Sequence, residues 1–251
     1  MGLIQKYRDF VESRKKSKIK KSLVVIKNPK ATKEDRDAAI QFFAGLDDSY
    51  LAVSSLLGRF DYSLDHGIND SREKDKTMKA IVDFGEKAVT PVLDHLKKST
   101  KIAWPLKILT ALTDSARVVH ALESSLSFGD IDFDQDVVNK NYDILCCLRD
   151  YKLSDQGKRL FEFLEAHDER LRYAAVEVLL HQNSEENYKA LEKFLLDNSA
   201  ENIRVKQSVA RKFIDLNRKL SHTSDFKVGF MHPDLVVKKD YTLKYADSEE
   251  S

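Results

Sequence analysis

Residues 101–112 read KIAWPLKILTAL, holding the chain's single Trp and, next to it, one of its four Pro. Ile102, Leu106 and Leu109 recur at i, i+4 and i+7. Trp104, Ile108, Ala111 and Leu112 widen that stripe into a broad apolar face of a helix. Pro105 limits where such a helix can begin. Deep in a helix Pro costs ~3 kcal/mol, but in the first turn its missing N–H has no intrahelical acceptor in any case. A start at Ser99 would kink the helix and leave the Lys101 carbonyl unpaired. The spacing therefore predicts a start at Ile102 or later, or a kink at the turn, with Trp104 packed at the junction of two helical hairpins.

Working outward, the same kind of helix returns. Ile102, Val138, Leu171 and Ile203 each open an i, i+4, i+7 pattern, and they stand 36, 33 and 32 positions apart. Between these B helices lies a second class, the A helices, with apolar residues at i, i+3 and i+4. Its sets are Val53/Leu56/Leu57, Val89/Val92/Leu93, Val118/Ala121/Leu122, Leu160/Phe163/Leu164 and Leu191/Phe194/Leu195. A pair of short helices cannot bury both stripes alone. Stacking on neighbouring pairs covers them and builds one continuous core. Low Gly and Pro content, 8 and 4 residues, agrees with an all-α chain.

FGEKAVTPVLDHLKKSTKIAWPLKILTAL (84–112) and HDERLRYAAVEVLL (167–180) resemble the HEAT-like repeats, including the bacterial form found in phycobilisome lyases. The features carrying the resemblance are the Gly85-Glu86 opening, Pro91 within an A helix, Asp168 in the turn, Arg172 near the helix start and the pair Ala174-Ala175. The resemblance implies a right-handed α-solenoid of about five to six stacked hairpins, with Asp168, Arg172 and Arg204 in its turn ladder. It would cover residues 48–218. Residues 1–47 then form a basic N-terminal helical cap, with two amphipathic patterns joined by RKKSK and a third helix over 33–46. Residues 219–251 form a non-helical extension in which the alternation LVVKKDYTLKY predicts a hairpin or extended strand before the acidic DSEES.

Charge is uneven. Residues 1–30 hold ten Lys or Arg and two acids, net +8, leaving −7 on the rest of a chain whose total is +1. Such a segment is either the solvated face of terminal helices or a contact for nucleic acid, acidic protein or anionic lipid. No run approaches the ~20 apolar residues of a membrane span. Lys6, Arg8 and Asp9 stand where a signal peptide needs an apolar stretch, and Lys6 breaks a myristoylation motif, so a cytoplasmic protein is expected. Cys146 and Cys147, adjacent in a helical pattern, read as small core residues rather than a disulfide or zinc site.

Two acidic stretches are candidates for chemistry. GDIDFDQD (129–136) alternates Asp, but a calcium loop would need Gly and Glu where Gln135 and Asn141 stand, so it reads as a loop with Asp136 capping the next helix. RFDYSLDHGINDSREK (59–74) gathers Asp61, Asp65, His66 and Asp70, yet it also reads as a Gly67-Ile68-Asn69 turn leading to a helix start at Asp70 or Ser71. No metal site, cofactor or catalytic residue follows from either, and no phosphate loop, GxSxG, HExxH or CxxC arrangement is present. The expected function is a non-catalytic scaffold binding a protein partner through B-helix residues Lys107, Lys140, Arg170, Arg204, Lys206 and Arg211. The alternative is a nucleic-acid-binding protein, or a glycosylase built on HEAT-like repeats, gripping phosphates with these residues together with Lys101 and Arg172. Against it stand the net acidic body and a Trp104 placed in the core. A lyase or chaperone role toward a bilin rests on fold analogy alone.

Overall fold

Five α-helix starts among the described residues are set by an oxygen-bearing side chain that accepts a first-turn N–H. The computed structural model describes residues 3–129, 134–155, 157–196, 202–221 and 235–245. The chain divides into two compact units, Met1–Ser125 and Leu126–Ser251.

The first unit runs α1 (Leu3–Ile26), α2 (Lys33–Ala44), α3 (Ser49–Leu57), α4 (Gly67–Val82), α5 (Val89–Lys98), α6 (Ala103–Leu112) and α7 (Ser115–Glu123), with 3₁₀ turns at Gly58–Asp61 and Gly85–Ala88. Thr32 caps α2 through the Asp35 N–H at 3.1 Å, Asp48 caps α3 through Leu51 at 3.0 Å, and Asp114 caps α7 through Arg117 at 2.9 Å. The two amphipathic patterns of residues 2–27 form a single helix, α1, which runs unbroken through RKKSK. Lys and Arg are good helix formers, no Gly or Pro interrupts, and Glu12 pairs with Lys16 one turn on at 2.9 Å.

α6 begins late, at Ala103, and its first i→i−4 bond runs from the Leu106 N–H to the Ile102 carbonyl at 2.8 Å. Pro105 is thus the third helical residue, where its lack of an N–H sacrifices no bond. Pro91 occupies the same third position in α5. Trp104 is half-buried rather than core: its ring stacks on Phe60 at 5.4 Å, and Lys107 lies over it at 4.6 Å. The centre of the predicted stripes is the core, with Val53, Leu56, Leu57, Val92, Ile108 and Leu109 wholly buried where α3 meets α5 and α5 meets α6, whereas Leu93 and Leu106 are half-buried and Ala111 is exposed.

A dense ionic cluster fastens the turn after α3 to α2 and α4. Arg59 is wholly buried; its Nε donates to Glu73, its Nη2 to Asp70 at 2.7 Å and its Nη1 to the Tyr62 carbonyl at 3.2 Å. Arg36 donates its Nε to both oxygens of the same Glu73, at 2.9 and 3.0 Å, and its Nη1 to the Ala31 and Pro29 carbonyls. Lys74 completes the group on Asp70 at 2.7 Å. Asp70 is therefore an ion-pair partner inside α4, which starts a turn earlier than the sequence suggests, with His66 at its N-cap position.

The second unit contains α8 (Gln135–Leu148), a 3₁₀ stretch at Lys158–Glu165, α9 (Glu169–Gln182), α10 (Glu185–Leu196), α11 (Ile203–Asp215) and an antiparallel pair, β1 (Leu235–Val237) with β2 (Leu243–Tyr245), registered Val236 to Lys244. α9 packs against α8, α10, α11 and the 3₁₀ stretch. Leu160, Phe163 and Leu164 are buried as predicted, but on 3₁₀ rather than α geometry, entered through Gly157 at φ +81°. The stripe assigned to α11 is corrected: Ile203 is 45% exposed, and Val205, Val209 and Phe213 carry the core contact at i, i+4 and i+8. The strand alternation forms a hairpin whose Leu243 is buried and whose β2 contacts α11. The DSEES tail lies outside the described residues.

Asp134, not Asp136, caps α8, accepting the Asp136 and Val137 N–H groups at 3.0 and 3.2 Å; residues 130–133 of GDIDFDQD are outside the description. Asp168 caps α9 through the Arg170 N–H at 2.8 Å and also binds the Arg170 guanidinium, Nη2 to Oδ2, at 2.7 Å. The Arg170 side chain and the capped N–H hold the Asp168 carboxyl below its ordinary 3.8. A carboxyl depressed in the folded state stabilises fully above its unfolded pKa and loses that contribution as pH falls through its folded value. Asp168→Ala is therefore expected to cost about 1 kcal/mol at neutral pH and progressively less below about pH 4, a difference measurable by urea titration at both pH values.

Candidate functional site

The sequence-predicted contact residues separate once placed. Lys140 and Lys206 are buried, 5% and 6% exposed, within the second unit, and burial pulls the Lys140 ammonium below its usual 10.5. Both side chains are largely withdrawn from solvent. Lys107 belongs to the first unit, exposed on α6 and paired with Asp75 of α4 at 3.4 Å. Arg170, Arg204 and Arg211 are exposed and lie on one face of α8, α9 and α11.

That face is built by helical spacing. On α8, Asn139, Tyr142 and Cys146 follow at i, i+3 and i+7; on α9, Arg170, Tyr173 and Glu177 do the same; on α11, Arg204, Ser208, Arg211 and Asp215 follow at i, i+4, i+7 and i+11. Each tyrosine carries an arginine from the neighbouring helix of this face, α9 for Tyr142 and α11 for Tyr173. The Arg170 guanidinium lies 5.6 Å from the centre of the Tyr142 ring and donates to Asn139 Oδ1 at 3.2 Å, while the Arg204 guanidinium lies 4.9 Å from the centre of the Tyr173 ring. Such cation–π pairs hold a flexible Arg in place while leaving donors toward solvent. Beside Tyr173 opens a groove of about 330 Å³, lined by Glu177, Leu180 and His181 of α9, by Ser208, Arg211, Lys212 and Asp215 of α11, and by Arg149 and Asp150. Its lining carries charges of both signs.

Arg172, expected in a turn ladder, is buried and donates to the Ala166 and His167 carbonyls at 2.6 and 2.9 Å and to Asn202 Oδ1 at 2.9 Å. It sits four residues past its cap, as Arg36 does past Thr32, and both fold back onto the turn before their helix. Arg204 takes no such place; it faces Tyr173. Cys146, expected in the core, is exposed beside Tyr142, while burial pushes the half-buried Cys147 thiol up.

The acidic loop of the first unit does not assemble into a metal centre. Asp65 and His66 face solvent at a cleft of about 510 Å³ that also includes Lys30, Lys33 and Arg36. Asp61 approaches His95 at 3.6 Å, and Asp70 is engaged by Arg59 and Lys74. Among the described residues no three His, Cys, Asp or Glu side chains are grouped to hold a metal ion, and no helix is long and apolar enough to cross a membrane.

Sequence reasoning missed Tyr142 and Tyr173 as platforms, placing the first in the apolar stripe of its helix as the i+4 residue after Val138. The available signal was their spacing of 31 positions, close to the repeat period, with Arg170 and Arg204 placed 28 and 31 positions after them. No protein-family model matches the chain, nor does any curated protein or solved structure.

Proposed function

We propose that this chain is a HEAT-like helical-repeat adaptor, non-catalytic, whose second unit binds a protein partner through the exposed face of α8, α9 and α11. The carrying observation is the pair of Arg-on-Tyr stacks, Arg170 on Tyr142 and Arg204 on Tyr173, beside the mixed-charge groove. Arg and Tyr combine large, pre-ordered contact area with several donors, and they dominate the residues that carry binding energy at protein interfaces. A lining of both signs suits a polypeptide, which offers both signs and both donors and acceptors. A phosphate backbone gains less here, because Asp150, Glu177 and Asp215 line the same groove and Lys140 and Lys206 are withdrawn from it.

Crosslinking with mass spectrometry in cells should place partner peptides on Lys212. Tyr173→Ala with Arg204→Ala should weaken the isolated complex by about 2–4 kcal/mol, read by titration calorimetry. Crosslinks confined to other surfaces, or affinity unchanged in the double variant, would sink the assignment to this face. Tight duplex DNA binding with a steep salt slope would favour the nucleic-acid alternative instead.

A further inference from the structure

α1 presents a feature unrelated to the α8–α9–α11 face. Its last turns are anchored, with Ser22 and Ile26 buried and the Lys18 ammonium over the Phe42 ring at 4.7 Å. Every residue from 10 to 18, by contrast, is exposed. Among them Phe10 is 53% and Val11 46% exposed, large apolar side chains left half in solvent. The 3.6-residue period sets positions 3, 4, 7, 10 and 11 on one side of the helix, and the sequence there is Leu, Ile, Tyr, Phe and Val. Positions 6 and 8, Lys and Arg, flank that side, whereas the two acids of α1, at 9 and 12, fall on the opposite side. Arg14 extends the apolar side and holds its guanidinium over Phe10 at 4.6 Å. In all, α1 carries eight Lys or Arg and two acids, net +6.

We infer that the projecting half of α1 is an interfacial helix that lies on an anionic lipid surface, with Phe10 and Val11 entering the acyl boundary and Arg8, Arg14 and Lys15 meeting the headgroups. An apolar stripe flanked by Lys and Arg, with acids opposite, is the arrangement that gains from both parts of such a surface at once. A nucleic-acid backbone would use the cations and leave the stripe in water. The charge complementarity is to a negative surface, and the exposed aromatic selects the one with a hydrocarbon layer beneath it.

The full-length chain should co-sediment with phosphatidylcholine vesicles containing about one-third phosphatidylserine, and at least about tenfold less with phosphatidylcholine alone. Arg8→Gln/Arg14→Gln/Lys15→Gln should reduce partitioning about a hundredfold at low salt. Phe10→Ser/Val11→Ser should reduce it by about tenfold or more with the charge intact. Circular dichroism checks that both variants keep the fold, since the altered side chains are exposed. Absence of binding to phosphatidylserine vesicles at low salt overturns the inference, as does unchanged partitioning of the Phe10→Ser/Val11→Ser variant. Tighter binding to duplex DNA than to vesicles, or a dimer that the same variant dissolves, overturns it in favour of those occupants.

Discussion

Glu73→Gln is expected to lower the unfolding free energy of the Met1–Ser125 unit by about 3–5 kcal/mol, the range for removing one partner of a buried ion pair. The carboxylate is the shared acceptor of two buried guanidinium groups, Arg36 and Arg59. An amide keeps the volume but turns an NH₂ toward one of them and removes the charge that offsets both. Arg59 retains Asp70 and the Tyr62 carbonyl, and Arg36 retains the Ala31 and Pro29 carbonyls. Carbonyls solvate a guanidinium, but they do not neutralise it. Urea denaturation followed by amide exchange within residues 33–82 is the measurement. A loss below about 1 kcal/mol would mean that these carbonyls and Asp70 suffice. Lys76→Ala, which breaks the more exposed pair with Asp37 at 2.9 Å, supplies the comparison and should change stability by less than about 1 kcal/mol. Burial alone would raise the Asp70 carboxyl, but bonds from Lys74, Arg59 and the Leu64 N–H outweigh it and hold it below 3.8. The Asp70 contribution is thus complete above the ordinary aspartate range and lost as pH drops through the lower folded value.

Phe213→Ala is expected to cost the second unit about 3–5 kcal/mol, through lost transfer free energy and the void left behind. Phe213 is 1% exposed on α11, and Tyr188 of α10 meets its ring edge-on at 5.8 Å. Phe213→Leu refills most of the space and should cost roughly 1–2 kcal/mol. Differential scanning calorimetry on both variants distinguishes the void from the lost ring contact. Equal losses for Ala and Leu would assign the effect to the aromatic pair rather than to volume.

The legible parts of the fold are those set within a dozen residues. The A stripes, the B stripes other than that of α11, the turn at Asp168 and the late start of α6 follow from local spacing and from what a first turn requires. What escaped the sequence reading depends on partners far apart in the chain. Arg36 reaches Glu73 across 37 positions and Arg59 across 14, and no periodicity announces which acid a buried arginine will find. Lys140 and Lys206 read as surface cations because charge type was weighed above phase. Yet Lys140 stands beside the buried Asn141 and one turn before the buried Ile144, and Lys206 lies between the buried Val205 and Val209. The candidate face was legible as three arginines and illegible as Arg–Tyr stacks, because a ring on one helix and a cation on the next meet only after the helices pack.

The third-position prolines of α5 and α6 bear on how this chain tolerates length change. If α6 grew backward to include Lys101, the Pro105 ring would strike that residue's carbonyl, and Pro91 imposes the same limit against Lys87 in α5. A residue inserted between Lys98 and Ile102 therefore cannot be drawn into the helix, where it would rotate the apolar face by about 100°. It must remain as slack in the connection. The two rings act as fixed stops that protect the phase of each helix from insertions upstream, so sequence drift between these helices can accumulate without turning Ile108 and Leu109 away from the core.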